Sequence, residues 1–444
     1  MAGLLPLLIA LTIIETSVHS GPGDALGALS LPSLLGLIGW ATMLWWLSCE
    51  TMARTLVALP RLPRRGIERW DLAAQVLALL AFAWLCYGGG WGARCSTYHS
   101  IALAPWLAWQ GIHWWCLSVP IRRASRVPWT RSAFVWQQIR FSLLPLAVSL
   151  PVIDLMFFIG NSTPIGGWFL HQLGTVGNVL AVFIVSAGLL LLLPWILVRM
   201  WGAQPLPASA LRDELESACT RARIPITAIL RWPVHGGRVY NAMVLGVLPR
   251  LRYVLFTDDL LRDFSSEERI AVLGHELGHA RHGHLWIYML FALATGLVSL
   301  LARTPLEGLF AQVPRANAIA PDVRSGLIAL ILLALQWRLA FGYLSRACER
   351  QADLAGATLV GGGDTARGAP QMQRALIAVA QFSGTDPQSP SWRHYSINQR
   401  VTWLGLVTLD AQVAERHHQR LRWVVGLLAA ATSVLFALSL PRFF

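Results

Sequence analysis

The stretch SSEERIAVLGHELGHARHGH, residues 265–284, sets the interpretation of the chain. Its opening serines can cap a helix, and the two glutamates after them fall in the first turn, where the helix dipole favours acidic groups. Gly283 can end the helix. We therefore predict a helix over residues 266–281.

That helix contains the sequence His275-Glu276-Leu277-Gly278-His279, an H-E-x-x-H pattern. Residues four apart lie on one helical face, so both imidazoles can bind one metal ion while Glu276 lies beside it. Zinc held this way would polarise a scissile carbonyl and activate water, with Glu276 as general base. The alternative is a helix carrying two solvated histidines, but the polar groups interrupt an otherwise apolar face, which favours the metal site.

A catalytic zinc usually keeps a third protein ligand, and the residues after the motif do not supply the extended metzincin pattern. His282 stands where that pattern needs glycine, and Leu285 where it needs histidine. We interpret His282 and His284, at the helix end, as interfacial groups or as groups that support a ligand. The third ligand is therefore expected elsewhere in the chain.

Glu349 is the best candidate for the third ligand. It follows a predicted membrane span, which places it on the same side as the metal helix, and Asp353 lies four residues later on the same helical face. A carboxylate ligand with another carboxylate behind it to orient a ligating histidine is common at zinc sites. The alternative is an ordinary solvated helix surface.

The composition indicates a membrane protein. Hydrophobic residues make up 55% of the 444 residues and charged residues only 13%, against roughly 25% charged residues in soluble domains. The net charge is +13, but the arginines lie in short loops beside apolar segments, which excludes nucleic acid as the expected partner and favours the lipid bilayer. The six cysteines are scattered, without a C-x-x-C pair, and predict neither a disulfide framework nor a thiolate metal site.

Nine apolar runs are long enough, or nearly so, to be candidate spans: 3–18, 31–58, 72–90, 101–120, 141–160, 177–199, 285–302, 326–345 and 422–440. The arginine-rich loops 61–69 and 122–140 should be cytoplasmic, which places 200–284 and 346–421 in the cytoplasm as well. The first run lacks a positively charged start, so we expect a retained helix and not a cleaved signal peptide. Residues 206–232 predict an amphipathic helix followed by a strand, and 251–256 another strand.

The order of motifs resembles the HtpX and CAAX prenyl protease family of integral-membrane zinc metallopeptidases, the gluzincin type. The resemblance covers about residues 205–405 and rests on H-E-L-G-H at 275–279, two spans, S-R-x-x-E-x-x-A-D-x-x-G-A at 345–357, Asn241-Ala242, Leu255-Phe256-Thr257-Asp258-Asp259-Leu260-Leu261, His394-Tyr395-Ser396 and Arg400-Val401. The chain departs from that family at Tyr395, which replaces proline, in its six N-terminal spans and in its final span.

The resemblance implies one zinc ion per chain and a polypeptide substrate. It implies His275, His279 and Glu349 as ligands, with Glu276 as the base and Asp353 supporting a ligand. The implied fold class is mainly α: a polytopic transmembrane helical bundle with a cytoplasmic zincin (gluzincin-like, α+β) catalytic lobe.

Three further residues are candidates for roles in catalysis or substrate binding. His394 and Arg400 could stabilise the oxyanion or the carboxyl group of a substrate, or could be a histidine at a helix start and a surface arginine. Asn241 could bind the substrate backbone or hold a turn.

We divide the chain into a membrane bundle of about six spans (1–200), the first part of the catalytic lobe (201–284), two transmembrane helices (285–345), the second part of the lobe (346–421) and a final span (422–444). The expected function is an endopeptidase acting on membrane or misfolded proteins, in a bacterial inner membrane with its active site on the cytoplasmic side.

Two alternative functions remain open. The first is processing of lipidated C-termini in a chamber lined by polar residues at membrane depth, for which Glu50, Asp154 and Asn178 are candidates. The second is a membrane sensor-transducer carrying a zinc protease lobe, which the short outside loops disfavour.

Overall fold

The structure is a computed structural model that describes residues 30–59, 64–95, 98–125, 130–140, 191–234, 239–312, 331–383, 386–389 and 393–440, with a few single positions besides. This part of the chain is mostly helical with one small sheet, which confirms the predicted mainly α fold class. Its helices are α1 (Leu31–Ala58), α2 (Arg64–Tyr87), α3 (Trp91–Arg94), α4 (His99–Ala102), α5 (Ala104–Ser125), α6 (Arg131–Gln138), α7 (Leu191–Met200), α8 (Ala210–Ala222), α9 (Asp258–Asp263), α10 (Ser266–Arg281), α11 (His284–Ala311), α12 (Gly342–Val360), α13 (Thr365–Ser383), α14 (Ile397–Leu409) and α15 (Gln412–Ser439). The strands are β1 (Gln204–Pro205), β2 (Ala228–Trp232), β3 (Ala242–Leu245) and β4 (Tyr253–Thr257).

Four helices among the described residues are long and apolar enough to cross a membrane: Leu31–Ala58, Gly66–Tyr87, His284–Ala302 and Gln412–Ser439. They match four predicted spans. The predicted span 101–120 is helical within α5, but this helix is not among the four, since it carries polar groups that include Gln110 and His113. The predicted spans 3–18, 141–160, 177–199 and 326–345 lie wholly or partly outside the described residues, so the number of spans stays a prediction.

The chain divides into two compact units. The first contains residues 1–186, 235–237 and 303–330, and its described part is built on α1, α2 and α5. Tryptophans fix the contact of α1 with α5: the indole of Trp45 donates to the carbonyl of Trp109, and the indole of Trp109 donates to the hydroxyl of Thr42. His113 on α5 contacts Asp71 on α2 at 2.9 Å.

The polar residues proposed to line a chamber at membrane depth have partners within this unit. Glu50 accepts hydrogen bonds from Arg54 and Arg131. Asp154 is buried and accepts from the backbone and side chain of Ser100 and from the backbone of His99. Such contacts favour the helix-packing interpretation of both carboxylates. Asn178 lies outside the described residues.

The second unit holds the sheet and the motif-bearing helices. The strand order is β1-β2-β4-β3, so β3 lies at an edge. Strands β2 and β4 are parallel, with Leu230 opposite Leu255, whereas β3 runs antiparallel to β4, with Val244 opposite Val254. The predicted strands at the end of 206–232 and at 251–256 correspond to β2 and β4. The core is formed where α8, the sheet and α10 bury their apolar side chains, including Leu215, Val254, Phe256, Leu273 and Leu277.

Helices α10 and α12 approach each other closely because small residues line their contact. A Cβ atom added to Gly278 would lie 2.7 Å from the Cβ of Ala355, and one added to Gly274 would lie 2.9 Å from the Cα of Gly356. Only residues without larger side chains allow this separation. The close approach brings the motif residues of α12 within reach of those on α10.

Candidate metal centre

Helix α10 begins and ends at the residues predicted from the sequence. The side chain of Ser265 accepts from the backbone N–H of Glu268, and the Glu268 carboxylate accepts from the backbone N–H of Ser265, which makes a capping box. At the other end, Gly283 adopts a left-handed conformation with φ of 64°, which favours glycine. The helix is therefore fixed at both ends around its two histidines.

Three candidate ligands converge on one point. The Nε2 atoms of His275 and His279 are 3.3 Å apart. The carboxylate of Glu349 lies opposite, with its oxygens 3.5 Å from Nε2 of His275 and 3.7 Å from Nε2 of His279. Among the described residues, these three form the one group of histidine, cysteine and acidic side chains whose ligand atoms could share an ion.

The arrangement fits zinc. Nitrogen and oxygen ligands about 2.0–2.1 Å from a tetrahedral zinc ion lie roughly 3.3 Å from one another, close to the observed separations. Two imidazoles and one carboxylate form the donor set of many catalytic zinc sites, which leave one position for water or substrate.

Asp353 holds His275 from behind. Its Oδ1 lies 2.9 Å from Nδ1 of His275, so Nδ1 carries the proton and Nε2 is left to accept a metal. Arg400 in turn donates to both oxygens of Asp353 and is itself buried. Burial would raise the pKa of Asp353, but the charge and hydrogen bonds of Arg400, and then His275, hold this pKa below its usual value. The surface-arginine interpretation of Arg400 is therefore wrong, because its donors are directed inward at Asp353.

Glu349 is kept ionised by the groups around it. The Nδ1 atom of His394, a half-exposed residue, lies 3.2 Å from its Oε2. Burial would raise the pKa of Glu349, but the hydrogen bond from His394 and the positive charges of His275 and Arg400 lower it well below its ordinary value. An anionic carboxylate is the form that binds a metal.

Glu276 lies between the metal helix and the edge strand. Its Oε2 accepts a hydrogen bond of 3.0 Å from the backbone N–H of Val244 on β3. Burial raises the pKa of the Glu276 carboxyl to about 7, against the opposing charge of His275. A carboxyl group with a pKa near neutrality suits a residue that takes up and releases protons.

A neutral chain of hydrogen bonds supports His279. Nδ1 of His284 lies 2.8 Å from Nδ1 of His279, and Nε2 of His284 lies 3.0 Å from Oε1 of Gln351, whose amide nitrogen lies 2.7 Å from Nδ1 of His418. Because the Gln351 oxygen can only accept, His284 donates through Nε2, and its Nδ1 accepts from His279. Nε2 of His279 is then left to face the metal, as it is for His275.

Sequence reasoning placed His284 only as an interfacial or supporting group, and it missed Gln351, His418 and the backbone of Val244. Spacing along one helix reveals residues that share a face, but these contacts form between separate elements. Asn241 directly precedes β3. Its backbone N–H and carbonyl form hydrogen bonds with the hydroxyl group of Thr257, and the residue is exposed.

Comparison with known proteins agrees with this geometry. Residues 205–401 match peptidase family M48. The protein named "Protease HtpX homolog" of Methylibium petroleiphilum is 25% identical over 264 residues, which cover 57% of this chain and 85% of that protein. A protein of the same name from a Sulfurihydrogenibium species is 31% identical over 170 residues, covering 37% of this chain and 56% of its own.

Among solved structures, the crystal structure of S. mikatae Ste24p aligns with 89% of this chain and 98% of its own, at 17% sequence identity and a TM-score of 0.49. The M48 match and the HtpX relatives confirm the resemblance predicted from the motifs. Residues 205–401 thus resemble peptidase family M48, and the chain is a membrane metallopeptidase.

Proposed function

We propose that the chain is a zinc-dependent endopeptidase that cuts membrane or misfolded proteins at a cytoplasmic site of a bacterial inner membrane. His275, His279 and Glu349 would bind one zinc ion per chain, and Glu276 would act as general base. The observation that carries this proposal is the convergence of three ligand atoms next to the partly buried carboxyl group of Glu276, whose pKa is raised to about 7.

The edge strand β3 supports a polypeptide substrate. Val244 directs its N–H toward Glu276, so the outer side of this strand faces the proposed base. An extended peptide can add to such an edge through backbone hydrogen bonds. A substrate bound there would carry its scissile bond past Glu276, and Asn241, at the start of the strand, would contact the substrate backbone with its exposed side chain.

The chemistry follows from the residues around the proposed site. Zinc would supply Lewis acidity, which polarises the scissile carbonyl and lowers the pKa of water toward about 7. Ionised Glu276 takes a proton from the attacking water as the new carbon–oxygen bond forms. It then delivers this proton to the leaving nitrogen when the carbon–nitrogen bond breaks.

The remaining residues have supporting roles in this proposal. Asp353 fixes the ring of His275, and Arg400 anchors Asp353. We assign Arg400 this positioning role because it is buried and donates two hydrogen bonds to Asp353. His394 contacts Glu349 through Nδ1 and is exposed over 43% of its side chain, so we propose that its Nε2 donates to a developing oxyanion.

The proposed organisation keeps the sequence-based boundaries: a bundle at 1–200, lobe segments at 201–284 and 346–421, spans within 285–345, and a final span at 422–444. The apolar helices His284–Ala302 and Gln412–Ser439 each begin directly at the lobe, which supports a catalytic site at the membrane surface.

The test compares wild type with Glu276→Gln, both purified in detergent, for bound zinc by mass spectrometry and for cleavage of casein with and without a chelator. Glu267→Gln on the same helix is the matched control, since Glu267 is exposed and pairs only with Arg374. We expect all three forms to hold about one zinc ion and Glu276→Gln alone to lose cleavage, by at least about a hundredfold. Equal cleavage by Glu276→Gln and wild type would contradict the proposal.

A further inference from the structure

A cavity with a volume of about 960 Å³ lies behind the metal helix in the second unit. Its walls come from the C-terminal end of α8, the last turns of α10, the glycine turn after α12 and the first turns of α15. Ligand pockets typically have volumes of roughly 300–1,000 Å³, so a small polar molecule or a lipid headgroup fits in this space.

The proposed ligands and base do not line the cavity, although His418 of its lining belongs to the hydrogen-bond chain that supports His279. Arg281 lines the cavity, and this residue follows His279 by two positions, which places it on the opposite side of α10 at 100° per residue. The cavity and the ligand cluster therefore lie on different faces of the same helix.

The lining is cationic. Three arginines, Arg221, Arg223 and Arg281, contribute to it, and no aspartate or glutamate does. No described carboxylate forms an ion pair with any of the three; Arg221 donates to the hydroxyl of Ser217. Burial, and then the neighbouring rings of His284 and His418 and the charge of Arg281, lower the pKa of His282 in the cavity wall to about 4. No acidic group of the lining therefore neutralises the positive charge of these arginines.

The cavity is located where the chain meets the membrane. His282 precedes by two residues the start of the apolar helix His284–Ala302. His418, whose ring centroid lies 5.6 Å from that of His282, precedes Trp423 and the apolar run of α15 by five residues, or about 7.5 Å along the helix. Two helices long and apolar enough to span a membrane therefore begin beside this cavity, where a lipid headgroup would be expected.

We propose that this cavity binds a phosphate-bearing anion. Guanidinium groups bind phosphate oxygens through paired hydrogen bonds, and basic pockets next to transmembrane helices bind anionic headgroups. Two sources share this chemistry, an anionic phospholipid and a free oligophosphate. The position beside two spans favours the phospholipid. This site does not depend on the proposed peptidase mechanism.

The test uses the full chain in a neutral detergent and isothermal titration calorimetry. The ligands are short-chain phosphatidylglycerol, short-chain phosphatidylcholine, which has a phosphate but no net charge, and inorganic pyrophosphate. The double variant carries Arg221→Gln and Arg281→Gln. The triple variant adds Arg223→Asn, because asparagine tolerates the left-handed backbone conformation of residue 223, with φ of 54°. The control is one variant that combines Arg250→Gln, Arg262→Gln and Arg374→Gln. These three arginines are exposed, belong to the same unit and do not line the cavity.

We expect phosphatidylglycerol to bind wild type and the control equally, phosphatidylcholine to bind both more weakly, and the double variant to lose at least about tenfold in affinity for phosphatidylglycerol. Circular dichroism and bound zinc equal to those of wild type show that a variant is folded. Arginine-dependent binding of pyrophosphate without phosphatidylglycerol would support the site with a free phosphate as its source. Equal affinity of wild type and the cavity variants for both anions would overturn the proposal.

Discussion

At the residue scale, the two imidazoles of the candidate metal centre are held by partners of different charge. His275 donates to the anionic carboxylate of Asp353, whereas His279 donates to the neutral ring of His284. Both partners fix the proton on Nδ1 and leave Nε2 for a metal. The carboxylate adds negative charge to the site and the histidine does not, so His284 acts by orientation alone.

This orientation predicts a loss of metal affinity in His284→Ala. Removing the partner of a ligating histidine typically costs about 10–100-fold in metal affinity, and we expect a loss in this range. His284→Asn keeps an acceptor near the place of Nδ1 and should recover part of the affinity. His282→Ala, which removes a histidine that bonds no candidate ligand, is the control. Competition with a zinc chelator measures the affinities, and equal affinity in His284→Ala and wild type would contradict the assignment.

Glu276 predicts how cleavage depends on pH. Burial raises its pKa to about 7, and a general base must be ionised, so activity is present above this pKa and is lost as the pH falls through it. A bound cation lowers the pKa of a neighbouring carboxyl, so the acidic limb of kcat/KM should lie between about pH 5 and about pH 7, with a tenfold loss per pH unit beneath it. A profile of kcat/KM, with bound zinc measured at each pH, checks this. A rate that does not change between pH 5 and 8 would be inconsistent with Glu276 as the base.

At the element scale, the centre depends on how closely α10 and α12 pack. The glycines at their contact let Glu349 and Asp353 on one helix reach the histidines on the other. The side chains supply the chemistry, but the backbone separation decides whether they meet.

Gly278→Ala should therefore destabilise the lobe. The added Cβ would lie 2.7 Å from that of Ala355, and inserting a methyl group into such a contact costs about 1–3 kcal/mol. Gly296→Ala is the matched control, since a Cβ there meets nothing within 4 Å and alanine favours helix. The unfolding temperature in detergent should fall for Gly278→Ala and stay unchanged or rise for Gly296→Ala. If both variants unfold at the temperature of wild type, the tight packing described here is wrong.

Some helices could be predicted from the sequence, whereas a short strand and the contacts between distant elements could not. Helix α10 and its motif followed from caps and a fixed spacing, and Leu31–Ala58 from hydropathy alone. Strand β1 is two residues long, too short to show a period of its own. The contacts of His284 with Gln351 and of Val244 with Glu276 join elements distant in sequence, so only the fold reveals them.

At the scale of the whole molecule, the arginine-rich loops predict that the lobe faces the cytoplasm. A single cysteine at Asp364, in the exposed turn after α12, should be protected from a membrane-impermeant maleimide in intact cells and react after permeabilisation. The control is Arg94→Cys, between the predicted spans 72–90 and 101–120 and therefore on the side opposite the arginine-rich loops, which should react in intact cells. The native cysteines are replaced by serine or alanine in both chains. Labelling of the Asp364 position in intact cells would reverse the proposed orientation.

In the proposed mechanism, Glu349 completes a zinc site with His275 and His279. The most direct test measures zinc per chain by mass spectrometry in wild type, in Glu349→Gln and in Glu267→Gln, all purified without added metal. We predict about one zinc ion in wild type and in Glu267→Gln, and a large loss in Glu349→Gln, because a neutral amide replaces an anionic ligand. Full zinc content in Glu349→Gln, held as tightly as in wild type, would show that Glu349 is not the third ligand.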